Sequence, residues 1–180
     1  MASDIFLQID GIKGESTDSE HKDWIELLSY SSKVVPPPPP PVTATAKAEP
    51  VKQPSPTSGV SQHGEIVVTK QVDKASPKLN EMVSSGKHIK KVTLELMRAS
   101  GGSRVKYMTV EMNQVLISSV SPQVSPHDKT AGGKAGTDLP TETVSFNYGT
   151  IKWTYAQQKR ADGSKGGNVV GGWNLEKGNA

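Results

Sequence analysis

Lys91-Val92-Thr93-Leu94-Glu95-Leu96 alternates polar and apolar side chains residue by residue. After Ala99-Ser100-Gly101-Gly102-Ser103 the alternation resumes at Val105, Tyr107 and Thr109. Successive side chains of an extended chain point to opposite faces, so period two marks strands with one face buried and one face wet. Such runs, short and broken by Gly/Ser turns, argue for an antiparallel barrel or sandwich.

The pattern spreads outward from this stretch in both directions. Ile5, Leu7 and Ile9 alternate with Phe6 and Gln8. Trp24, Glu26, Leu28 and Tyr30 lie opposite Ile25, Leu27 and Ser29, giving a strand from Trp24 to Ser32, and Ile66 with Val68 continues the series. Further along come Val115 and Ile117, then Val144, Phe146 and Tyr148, then Ile151, Trp153 and Tyr155. Gln157 to Gly172 is Gly/Lys/Asp-rich and reads mostly as loop, and a last short strand carries Trp173 and Leu175. The total is about eight to nine strands rich in β-branched and aromatic residues.

One segment departs from period two. Ser76-Pro77 reads as an N-cap followed by proline at the first helical position. Leu79, Met82 and Val83 recur at i, i+3 and i+4, and Gly86 supplies a left-handed stop. This predicts one short helix, packed on the barrel or closing its end. The expected fold is therefore mainly β: an antiparallel β-barrel with one short α-helix and a long Pro-rich loop.

That loop is set by the prolines. Of 13 in the chain, nine fall between Pro36 and Pro56, starting with the unbroken run Pro36, Pro37, Pro38, Pro39, Pro40, Pro41. Proline fixes φ and lacks an N–H, so the run can join neither a helix interior nor a central strand, and polyproline II is its natural conformer. Residues 33–64 read as an extended loop inserted in a single domain spanning 1–180, since too few residues precede them to fold alone.

Composition removes several classes of function. The 180 residues contain no cysteine, which excludes disulfide scaffolds, thiolate zinc sites and cysteine nucleophiles. A net charge of +3, without clustering, falls short of a dedicated nucleic-acid binder. No apolar run approaches the roughly 18–20 residues that span a bilayer. The N-terminus lacks a basic n-region and an uninterrupted apolar h-region, which predicts a protein made in the cytoplasm without a Sec-type signal.

A search for chemistry returns no constellation. His21, His63, His88 and His127 are far apart, and each reads as a solvated surface imidazole rather than a metal ligand or catalyst. Gly86-Lys87-His88 lacks the glycine and Ser/Thr of a phosphate loop and reads as a helix cap. Gly132-Gly133-Lys134-Ala135-Gly136-Thr137 fails the same test. Glu26, Glu95 and Glu111 lie on polar strand faces, as does Lys91, so the Lys87/Lys90/Lys91 group reads as a charged outer face. Tryptophans and tyrosines on strands read as core packing, with an exposed sugar platform as the functional alternative. No catalytic residue, cofactor or metal is expected.

Specific residues then point to a family. Asp4-Ile-Phe-Leu-Gln-Ile-Asp-Gly-Ile-Lys-Gly-Glu-Ser16 and Ile25-Glu-Leu-Leu-Ser-Tyr30 resemble the start of Hcp (hemolysin-coregulated protein), the tail-tube protein of the bacterial type VI secretion system. The resemblance runs in order through Lys70-x-x-Asp73-Lys-Ala-Ser-Pro77, Ser84-Ser-Gly-Lys-His88 and Glu111-x-x-x-Val115-Leu-Ile-Ser-Ser-Val120. It continues in Thr141-Glu-Thr-Val-Ser-Phe146 and Gly172-Trp-Asn-Leu175.

The resemblance implies a non-enzymatic subunit whose homohexameric rings stack into a hollow tube. Such a tube is driven by contractile sheath proteins, expelled with a VgrG spike, and carries small effector proteins in its lumen. It implies secretion without a signal peptide, and neither nucleic-acid binding nor membrane insertion. By residue-by-residue carry-over, Ser31 falls at a position of lumen and cargo contact. Pro36 to Pro41 occupy the extended loop that reaches toward a neighbouring subunit or ring, here longer and proline-rich. After Val120 the sequence departs from the family pattern, and no residue is carried over from there. Two alternatives stand beside this reading: a secreted effector or cargo-binding module on the same barrel, and a monomeric carbohydrate-binding β-sandwich.

Overall fold

The computed structural model describes residues 3–36, 62–100, 103–123, 140–158 and 165–179. In chain order the elements are β1 (Ser3–Ile9), β2 (Ile25–Leu27), β3 (Ser29–Ser31), β4 (Val34–Val35), β5 (Gln62–His63) and β6 (Ile66–Gln71). Then follow α1 (Ser76–Ser85), β7 (Ile89–Ser100), β8 (Ser103–Gln123), β9 (Thr141–Asn147), β10 (Thr150–Gln158) and β11 (Lys165–Asn174). Pro37 to Pro41, most of the expected loop and Gly132 to Thr137 lie outside the described residues.

The chain is mainly β with one helix, as the alternation predicts. One antiparallel sheet runs in the order β2-β1-β7-β8-β9-β6-β3, with β10 on β8 and β11 on β10. The two ends of that path, β2 and β3, are halves of one extended segment split at Leu28. Leu28 sits at the corner, more than half exposed, and its N–H donates to the Thr69 carbonyl at 2.8 Å. The path therefore begins and ends on one extended segment, and the sheet wraps the core in a barrel-like way although, among the described residues, β2 and β3 do not pair with each other. This corrects the expectation of one strand from Trp24 to Ser32. Ile25 and Leu27 bury against β1, whereas Tyr30 pairs with Val68 of β6.

A second correction concerns β8. The expected strands around Val105–Thr109 and Val115–Ile117 are one 21-residue strand. It bends at Gln114, whose φ is 53°. β9 and β10 lie in succession along a single edge of β8, with Asn147 opposite Leu116 and Thr150 opposite Asn113. Tyr148 and Gly149 bridge them at the bend. A Cβ on Gly149 would run into the Gln114 side chain, so glycine is what lets the two strands approach there. The strand also carries Pro122 near its end.

A third correction is β11, which begins at Lys165 inside the region read as loop. Gly166, Gly167, Gly171 and Gly172 carry no side chain, so no polar/apolar alternation was available to mark it.

The helix begins one residue earlier than its sequence signal suggests. Ala75 occupies the N-cap position without a side-chain cap bond, and Ser76 is the first helical residue. Gly86 closes it at φ 62°, as expected. Leu79 is buried beneath the barrel, with Met82 and Val83 half-buried beside it. The core is continuous from Leu7, Ile25 and Leu94 through Ile66, Val68, Val144 and Phe146. Each such side chain contributes on the order of 1.5–3 kcal/mol when fully buried.

Candidate functional site

The inward side of β6 and β9 carries an ion network in the core. Lys70 follows Ile66 and Val68 at period two, and Glu142 precedes Val144 and Phe146, so parity alone turns both inward. They face each other across the ladder at 2.8 Å, both essentially buried. Lys70 also donates to Asp73 at 2.8 Å and to the Gln71 carbonyl at 2.7 Å. The Ser76 hydroxyl donates to Glu142 at 2.7 Å and accepts the Asp73 N–H at 3.0 Å. This is why Ser76 is not the cap: its hydroxyl ties the first helical turn to the barrel. The network is structural, and sequence reading missed it although the parity of both residues was visible.

The outward side of the same strands has the opposite character. Ser31 stands opposite Val67, which shares a rung with Ser145, and Ser145 pairs with Ser119. One rung along come Ser29, Thr69, Thr143 and Ser121, and a third rung holds Gln71, Thr141 and Gln123. Every member of these three rungs is uncharged, and all but Val67 and the two glutamines carry a hydroxyl. Ser31 is exposed at one corner, on the β3–β6 edge.

The sheet bearing this face has free lateral edges. Among the described residues β3 pairs only with β6, and the half of β8 after Leu116 pairs only with β9.

Where this face ends, the extended loop begins. β4 and β5 pair Val34 with His63 and Val35 with Gln62, forming the loop's root. His63 Nδ1 lies 3.2 Å from the Tyr148 hydroxyl, and its ring stacks near Trp153 and Trp173 at 6.2 and 6.1 Å. Burial lowers the pKa of His63 and raises that of Tyr148. Trp153 and Trp173 pack against the core from this cluster and form no exposed sugar platform. Pro36 is exposed at the end of the root.

On the other side of the barrel the outward face is charged. Lys91 and Lys152 flank Glu111, and Lys106 meets Glu95 at 2.9 Å. Val92, beside Lys91, is fully buried, as the alternation requires. His21 overturns its sequence reading: it is 1% exposed, with Nδ1 2.8 Å from Asp18 and Nε2 3.0 Å from Glu95. The carboxylate that holds it comes from 74 residues away, which local sequence cannot reveal. His88 is exposed, and His127 lies outside the described residues. Among the described residues no group of three or more His, Asp or Glu is placed to hold a metal ion.

Comparison with known proteins places these features in a family. Residues 6–155 match the family model described as type VI secretion system effector, Hcp. The chain is 35% identical to protein hcp1 of Pseudomonas aeruginosa over 178 residues, 98% of each chain. It is similar to a solved type six secretion system protein at TM-score 0.80 and 26% identity, covering 98% of both chains. The crystal structure of Hcp1 from Salmonella typhimurium gives TM-score 0.71 and 29% identity, covering 100% of this chain and 99% of that one.

Proposed function

Because the chain belongs to the Hcp family of the type VI secretion system, we propose that it is a structural subunit of that system's tail tube. Six copies close into a ring, rings stack into a hollow tube, and the tube leaves the cell with a VgrG spike under the drive of the contractile sheath. Small effector proteins travel in the lumen. The protein is made in the cytoplasm, is secreted by this route, and acts without catalysis.

The observation that carries this reading is the four-stranded sheet β3-β6-β9-β8, open at both lateral edges and neutral on its outward face. Unpaired strand edges are a liability in a solitary protein and become an asset when copies pair edge to edge. A ring closes when one copy's β8 edge meets the next copy's β3 edge, a heterologous contact repeated around an axis. The neutral face then turns toward the hole and the charged face outward. Ser31 lies on the hole side, in keeping with a cargo contact. A hydroxyl-lined wall offers weak neutral hydrogen bonds and no strong charge to trap a passing protein.

The proline-rich loop, rooted at β4–β5, is proposed as a stiffened strut at a subunit or ring contact. Polyproline loses little conformational entropy on docking.

Placing charge on the neutral face tests the ring's orientation. Thr69→Lys and Thr143→Lys should leave the assembly's mass unchanged by light scattering, because the lysines project into open space. Collapse of both variants to monomers while the barrel stays folded by circular dichroism would mean that this face is an interface, and would overturn the arrangement.

A further inference from the structure

β11 ends the run of strands β2-β1-β7-β8-β10-β11, and among the described residues it pairs only with β10, which leaves its outer edge bare. Two neighbouring rungs cross that whole run. One joins Val169, Tyr155, Met108, Leu96, Ile5 and Leu27. The other joins Val170, Thr154, Thr109, Glu95, Phe6 and Glu26. Leu96 and Leu27 are buried, so the first rung lies on the core-facing side of the sheet. At β11 that side runs past the core. Val169 is more than half exposed there with Tyr155 exposed beside it, and Val170 is more than half exposed on the opposite side. An apolar face that continues beyond its core, on a strand with a bare edge, is shaped to be covered by another chain.

The far end of the same rungs carries a match. Leu28, directly after Leu27, is exposed at the corner, and Val72 is exposed near it. Both line a cleft of about 220 Å³ with Glu15, Glu26, Gln71 and Asp73 among its polar residues. Such a cleft is too small for a drug-sized ligand and has the scale of a few aliphatic side chains. Among the described residues six large apolar side chains are exposed, and all but Val34 at the loop root fall in these two patches.

The charges around the two patches are compatible with contact. Asp73 is held by the buried Lys70 at 2.8 Å. Lys74 sets its ammonium against Asp23 at 3.6 Å, while its N–H donates to Glu15 at 3.0 Å. Glu15 and Glu26 have no cationic side chain on them, so the rim of the cleft is acidic. The β11 patch brings no carboxylate to it: Val169 and Val170 are flanked by Gly167, Asn168, Gly171 and Gly172.

We propose that Val169 and Val170 of β11 dock against the Leu28–Val72 cleft of a second copy of the chain, adding a second seam to the ring. The inference rests on the ring reading and deepens it. Leu28 directly precedes β3, and β11 lies two strands from β8, so the seam continues the contact between the β3 and β8 edges. The two patches differ, which makes the contact heterologous: each copy offers one patch and receives the other.

The chain has no cysteine, so cysteines placed in the two patches report the contact directly. Full-length protein carrying both Leu28→Cys and Val169→Cys, treated with a mild oxidant, should give a reducible ladder of cross-linked chains ending at about six. Either substitution alone should give no ladder. Cross-linked dimers from Val169→Cys alone would mean that β11 meets β11, and would overturn the proposal. Light scattering on the wild type separates the two readings. A six-fold mass without a ladder in the double variant removes this seam alone, whereas a monomeric wild type removes the ring and the seam together. Should the double variant fail to fold, Val170→Glu and Val170→Lys serve instead. Against Glu15 and Glu26 the glutamate should raise the concentration at which rings dissociate by about tenfold or more, and the lysine by less. Equal effects of the two charges would overturn the contact.

Discussion

Lys70 and Glu142 face each other inside the barrel at 1% side-chain exposure each. Removing one partner of a buried pair strands the other, so Lys70→Met or Glu142→Leu alone should cost about 3–5 kcal/mol in urea unfolding. The double variant should recover most of that loss, since a well-packed apolar pair replaces the ions. A double variant no better than the singles would mean that the bonds from Ser76 and Asp73, rather than the pair, carry the cost. Titration gives a second expectation at this scale. Burial depresses the His63 pKa, so the unfolded chain binds its proton more readily. The stability this contributes is present above about pH 6.5 and is lost on acidification through the folded value. The His21 hydrogen bond likewise depresses Asp18, whose contribution is lost further down, as pH falls through the carboxylate range. Thermal melts should therefore decline from neutral toward acid in two stages, with His63→Phe removing the first. The inward parity of Lys70 and Glu142 was legible in Ile66-Val68-Lys70 and Glu142-Val144-Phe146; their meeting was not, because register between distant strands is absent from local sequence. His21 failed for the same reason, its Glu95 partner arriving from another strand.

Strands whose alternation rests on Val, Ile, Leu and aromatic side chains, such as β1, β6, β7 and β9, could be read directly, because period two is a local property. The elements that misled are those where tertiary contact decides. The segment after Trp24 turns a corner at Leu28 to serve both ends of the sheet path, and β8 bends at Gln114 with no proline or glycine of β8 at the bend. Gly14 is where element-scale geometry is tightest, since the Trp24 backbone occupies the space a side chain would need. Gly14→Ala should lower the melting temperature by several degrees, whereas Gly167→Ala, with open space at its Cβ position, should change it little. Equal shifts in the two variants would deny the close approach. Deleting Pro36 to Pro56 should leave the barrel folded by circular dichroism and weaken ring or tube assembly. Assembly unchanged after the deletion would remove the strut.

For the whole molecule, the distribution of charge is the informative feature. One outward face holds Glu95, Glu111, Lys91, Lys106 and Lys152 in cross-strand pairs, while the other holds serine, threonine and glutamine. Ser31 could be placed on its strand from sequence by the family resemblance. That Thr69, Thr143 and Ser119 share its face needed the register of four strands drawn from four separate parts of the chain. A sheet with free edges and a neutral face is built to be repeated around an axis. Negative-stain imaging of the purified full-length protein tests this most directly. The account predicts six-fold rings with an open centre, accompanied in solution by a mass about six times that of one chain; particles that remain single barrels at high concentration would contradict it.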